Sequence, residues 1–112
     1  MNDITTDGRR IVIGENQIPL PAEITSVVQI QDTVVVLLDP DDEVQSDQNV
    51  WAFDTDGTLL WKAEKTRSPS NDINCYVKIS EDDGNLWAAD WKGMEYEIDP
   101  STGKHVSKNF RK

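Results

Sequence analysis

Cysteine, histidine and long apolar runs are all scarce in this chain of 112 residues, which has one of each of the first two. A lone Cys75 excludes an intrachain disulfide framework and fits a reducing compartment. Its apolar surroundings predict a buried, inert thiol. A lone His105 leaves no Cys/His metal spacing, and no nucleophile or orienting group can be placed beside it, so a solvent-facing ring is expected. Apolar runs such as residues 33–38 are far shorter than the roughly 18–20 residues of a membrane-spanning helix. Met1-Asn2-Asp3-Ile4 lacks the basic and apolar regions of a signal peptide. Cytoplasmic residence is therefore the expectation.

One further absence is more informative. Between Ile11 and Trp61 there is no Lys or Arg, while Glu15, Glu23, Asp32, Asp39, Asp41, Asp42, Glu43, Asp47, Asp54 and Asp56 supply ten carboxylates. The remaining 11 acidic and 11 basic residues cancel, so the net charge of -10 belongs to that segment. Such a balance argues against nucleic acid, whose phosphates require Lys and Arg to release counterions. It suits a basic protein partner. Because Asp (14) is twice as frequent as Glu (seven), many of the acids also read as turn formers. The clustering predicts that the ten carboxylates mark one face or one end of the fold.

The length predicts a single domain over residues 1–112 that buries somewhat under ~70% of its unfolded surface. Nearly every apolar stretch is short, β-branched or aromatic and bounded by Gly, Pro, Asn or Asp, the signature of strands and turns. The fold class expected is all-β: an antiparallel meander of about eight to ten strands in two four-stranded, blade-like sheets, packed as a sandwich or partly closed barrel. Residues 1–23 carry a short hairpin about Gly14 to Asn16, with Pro19 confining its second arm to an edge. Residues 24–64 divide into strands at 24–30, 33–39, 49–54 and 58–64. Residues 73–110 divide into strands at 73–80, 85–90, 94–99 and 104–110.

Alternation assigns the faces. Met94, Tyr96 and Ile98 should face the core with Glu95 and Glu97 in solvent, and Cys75, Val77 and Ile79 should do so opposite Tyr76 and Lys78. Val34 to Leu38 is apolar at every position, which predicts a strand covered on both faces. Asp56-Gly57 and Asp83-Gly84 are hairpin turns, Trp91 to Met94 is another reversal, and Asp99-Pro100-Ser101-Thr102-Gly103 is a turn closed by a left-handed glycine.

These units repeat. Asp54 and Asp99 are 45 residues apart, within the ~40–50-residue period of propeller blades. Ala52-Phe53-Asp54-Thr55-Asp56-Gly57-Thr58-Leu59-Leu60-Trp61 resembles the blade motif of pyrroloquinoline-quinone-type β-propellers, in which an Asp precedes a Gly turn and a Trp four residues past the Gly packs between blades. Ile98-Asp99-Pro100-Ser101-Thr102-Gly103-Lys104 resembles the same turn, with Ser107 where the Trp would stand. The resemblance covers about 80 residues and implies a blade-like meander with Trp61 in the core. It does not imply the quinone, because two blades cannot close a ring of roughly four to eight. No cofactor is expected.

Three kinds of site are worth weighing. Asp39-Pro40-Asp41-Asp42-Glu43 concentrates oxygen ligands of the type calcium takes, but neither it nor Asp54 to Gly57 has the spacing of an EF-hand loop, so a solvated acidic loop is expected and no metal. The same run, with Asp47, is the candidate surface for a basic partner, as in acidic inhibitors of nucleases; an immunity-like role follows. Trp51, Trp87 and Trp91 form the aromatic candidate. Aromatic burial favours a core position for Trp87 and Trp91 with Asp90 in water. An outward Trp face would instead make a self-associating or ligand-binding module, with a homodimer as its simplest form. Catalysis has little support.

Overall fold

A computed structural model of the chain describes residues 4–39, 48–64, 75–90 and 93–111. It is all-β. Eleven strands run β1 (Ile4–Asp7), β2 (Arg10–Ile13), β3 (Asn16–Pro19), β4 (Ile24–Ile30), β5 (Thr33–Leu38), β6 (Val50–Phe53), β7 (Leu59–Lys62), β8 (Tyr76–Asp82), β9 (Asn85–Asp90), β10 (Glu95–Ile98) and β11 (His105–Arg111). They form three antiparallel sheets in chain order, β1-β2-β3, β4-β5-β6-β7 and β8-β9-β10-β11, none closed into a barrel. No helix among the described residues is long and apolar enough to cross a membrane.

The second sheet is the middle layer, and β5 explains why. Its residues Val34 to Leu38 are all buried, and alternation sends them to two different cores. Val34, Val36 and Leu38 join Phe53 on the side of Ile11 and Ile13 from the first sheet. Val35 and Leu37 join Val50, Ala52, Trp61 and Ala63 on the other side, against Tyr76, Ile79, Leu86, Ala88, Tyr96 and Ile98 of the third. Each fully buried Val contributes roughly 1.5–3 kcal/mol, so the apolar run on this strand supports both joints at once. The expected pair of four-stranded sheets is present, and the N-terminal segment adds a three-stranded sheet, because Ile4–Asp7 pairs with the hairpin expected there.

Tight turns set the registers. Ile30 pairs with Thr33 and Asp82 with Asn85 across two-residue loops whose first residues, Gln31 and Asp83, have φ of 54° and 55°. The two longer turns are built alike. Asp54 Oδ1 accepts from the N–H groups of Asp56 and Thr58, both at 2.9 Å, and Asp99 Oδ1 accepts from Ser101 N–H at 2.8 Å. Gly57 and Gly103 then donate back to the carbonyls of Asp54 and Asp99, at 3.1 and 2.8 Å. In both, the Asp side chain organises the loop as an Asx turn and a glycine at positive φ closes it.

These turns interlock the layers. Gly57 lies under Ile18 of β3, where a Cβ would come within 3.0 Å of Ile18 Cδ1, and Gly103 lies under the Trp61 ring of β7. The Trp61 indole donates to Pro100 O at 2.9 Å. A side chain from the last strand of one sheet thus sits on the turn before the last strand of the next.

Two strands depart from strict alternation, the first against the faces expected of it. On β8 Tyr76 is buried and Val77 is 46% exposed, because a bulge between Tyr76 and Lys78 shifts the pleat by one position before Ile79 returns to the core. On β7 Trp61 and Ala63 are buried but Leu59 is 44% exposed, and a register shift opposite Ala52 and Phe53 has the same effect.

Candidate functional site

Buried polar groups mark the joint between the second and third sheets. Asn49, at the head of β6, is 4% exposed and spends its amide on two strands. Its Nδ2 donates to Leu38 O at 2.9 Å and to Tyr76 O at 2.8 Å, and its Oδ1 accepts Tyr76 N–H at 3.0 Å. The side chain acts as a rung of sheet between β5 and the start of β8.

His105 is the second such group, and it corrects the solvent-facing ring expected of it. Its side chain is fully buried, stacked on Tyr96 with ring centroids 4.6 Å apart. Tyr76 Oη lies 2.8 Å from His105 Nε2 and donates its one proton to Glu64 O at 2.6 Å. The hydroxyl must therefore accept from the ring, which puts a proton on Nε2. Nδ1 faces Glu64 Oε1 at 3.9 Å, beyond hydrogen-bond distance, and that oxygen accepts His105 N–H at 2.9 Å. Asp90 is 3% exposed and accepts Tyr96 Oη–H at 2.9 Å and Met94 N–H at 3.0 Å. It was expected in water. The inversion follows from the pleat: Leu86, Ala88 and Asp90 face the second sheet, which leaves Trp87 and Ala89 half-buried on the far side.

This network binds the layers and does not present chemistry. The imidazole has no exposed surface, so no substrate reaches either nitrogen. Tyr76→Phe, which keeps the ring and removes the hydroxyl, is expected to cost about 1–2 kcal/mol by leaving Glu64 O and His105 Nε2–H without that partner. Urea unfolding checks the loss, and nitrogen-15 shifts of His105 check the proton on Nε2.

The surface candidate lies at the other side of Asn49. Ala22, Leu38, Asp39, Gln48, Asn49, Trp51 and Lys62 line a hollow of about 100 Å³. Trp51 is half-buried against the first core, and its indole donates to Gln48 O at 2.9 Å. Lys62, its cross-strand partner, holds its ammonium 4.1 Å from the ring centroid. Asp39 from the acidic candidates and Trp51 from the aromatic ones thus meet in one concavity. Asp41, Asp42, Glu43, Asp47 and Trp91 lie outside the described residues. Among the described residues no three His, Cys, Asp or Glu side chains gather to hold a metal ion.

Among the described residues, the six carboxylates of the acidic segment do not share one end of the fold. Asp32, Asp54 and Asp56 stand where β4, β6 and their following turns meet, and Glu15 adjoins Asn16, whose Cβ lies 3.2 Å from the Cβ position at Gly57. Glu23 and Asp39 stand at the opposite end, where Asp39 N–H donates to Glu23 O at 2.7 Å. The strand run from Ile24 to Ile30 separates the groups.

A family model for a domain of unknown function, DUF7957, matches residues 1–110. The chain belongs to the DUF7957 family. Among curated proteins and among solved structures, none matches it. The DUF7957 match spans all three sheets, so the stacked arrangement and the hollow at its edge fall within one family domain. Asn49, Tyr76 and the buried side of His105 carried no signal in the sequence, because their hydrogen-bond partners lie 11 to 41 residues away.

Proposed function

We propose that this DUF7957 domain is a non-enzymatic binding protein for a basic protein partner, engaged through the hollow at Asp39 and Trp51 together with the acidic segment of the sequence. One observation carries the reading: Asp39 and Gln48 both line the hollow. Between these two positions the sequence carries Asp41, Asp42, Glu43 and Asp47. Leu38 and Asn49 fasten that base, with Leu38 N–H donating to Asn49 O at 2.9 Å and Asn49 Nδ2 returning to Leu38 O. A half-buried Trp that shares a hollow with a carboxylate is a suitable centre for an interface that steers a cationic partner. An immunity-like inhibitor fits this description. Cytoplasmic residence is part of the proposal, and the buried position of the chain's single cysteine, Cys75, is compatible with it. So is a blade-like stacking role for the two meanders, which the seat of Trp61 on the Gly103 turn supports.

The test is ionic strength. Stopped-flow association with the basic partner that co-purifies from the host should slow by at least tenfold between about 0.01 and 1 M salt, as the screening length shrinks from roughly 30 to 3 Å. The triple change Asp41→Asn, Asp42→Asn, Glu43→Gln should flatten that dependence. A rate that ignores both salt and the triple change refutes the electrostatic reading.

A further inference from the structure

The first basic residue after Arg10 is Lys62. After some fifty residues without a cation, the chain places this one on the face of Trp51 and in the wall of the hollow that Asp39 also lines. We propose that Trp51 is a docking platform for a single Lys or Arg side chain of the partner, and that Lys62 is the chain's own stand-in for that cation. This inference rests on the acidic binding function proposed above.

The geometry supplies a wall, a counter-charge and a displaceable occupant. Trp51 cannot swing freely, because its indole Nε1 is held by Gln48 O at 2.9 Å and its ring packs on the first core. Lys62 is exposed, sits directly across from Trp51 on β7 and ends 4.1 Å from the ring centroid. A cation over an indole at an exposed site is attracted only weakly, so the contact is readily exchanged. A partner's cation gains the same ring and adds the attraction of the Asp39 carboxylate, which lines the same hollow. An arginine suits the place better than a lysine, since its planar guanidinium stacks on the indole while its edge remains free to pair with a carboxylate. The hollow, at about 100 Å³, has room for the end of one such side chain.

The probe is a hexa-arginine peptide, titrated into the full chain and followed by calorimetry and by the indole N–H resonances of the four tryptophans. The Trp51 resonance should shift most. Lys62→Ser should tighten binding threefold to tenfold, whereas Lys78→Ser, an equal loss of charge on the third sheet, should tighten it by less than twofold. Trp51→Leu should weaken binding at least tenfold, and Trp51→Phe should fall between it and the parent while keeping the ring packed. If Lys62→Ser leaves affinity unchanged or lowers it, the stand-in role is wrong. If the triple acidic change weakens the peptide while the Trp51 variants bind it as the parent does, the platform falls and the acidic reading stands. A peptide that binds none of the proteins removes both.

Discussion

Gly103→Ala should lower the stability of this domain by about 3–4 kcal/mol, the sum of a strained backbone and a displaced ring. Gly103 has φ of +78°, and a Cβ there would lie 2.5 Å from Trp61 Cε3 and 2.6 Å from Cδ2. Flexible side chains relieve such contacts by rotating, but this ring is fixed. Its Nε1 donates to Pro100 O within the same turn, and its other face belongs to the core shared with Val35 and Tyr96. The methyl group must therefore push the third sheet's turn off the second sheet's last strand. Gly84→Ala separates the two costs, because Gly84 has φ of +82° and nothing within 4 Å of its Cβ position. It should lose only the backbone term, about 1–2 kcal/mol. Urea unfolding with unchanged slope measures both. Equal losses for the two variants would show that the Trp61 contact costs nothing.

The strands and turns around that joint were readable because their determinants are local. Strand bounds expected at 24–30 and 85–90 coincide with β4 and β9, where alternation or turn residues fix each end within a few positions. Val34 to Leu38 announced a two-sided layer by composition alone. The Asp turns were legible for the same reason, each being closed by hydrogen bonds within four residues. The failures begin where one inserted residue or one distant partner decides. The bulge at Tyr76 reverses the phase of β8, and nothing in the alternation of Cys75, Val77 and Ile79 records it. Asp90 and His105 look like surface residues until Tyr96 and Tyr76 are brought beside them. The hollow was half legible: Asp39 and Trp51 were each singled out, but their meeting depends on the β5-β6 register, which no single segment encodes.

Asn49→Ala should cost about 3–4 kcal/mol, near the upper range for one substitution, because it strips partners from several buried backbone groups at once. The carbonyls of Leu38 and Tyr76 lose a donor, and Tyr76 N–H loses its acceptor. Among the described residues no strand lies ready to replace them, since Asn49 itself bridges β5 and β8 at that point. Asn49→Asp should be no better, although it is nearly isosteric: it restores the acceptor for Tyr76 N–H but aims a carboxylate oxygen at two carbonyls. An exposed asparagine at a strand head, Asn85, should change by under about 0.5 kcal/mol when made alanine. Amide exchange gives the local readout. In the parent Tyr76 N–H should exchange only through large openings, and in Asn49→Ala it should exchange faster than the amides of β9. The same substitution reaches the proposed site, because Asn49 Nδ2 and O both fasten Leu38 beside the rim where Asp39 and Gln48 stand. Loosening that base should weaken capture of a basic partner beyond what lost folding accounts for. Retained affinity in the folded fraction of Asn49→Ala would show that the hollow does not depend on this clamp.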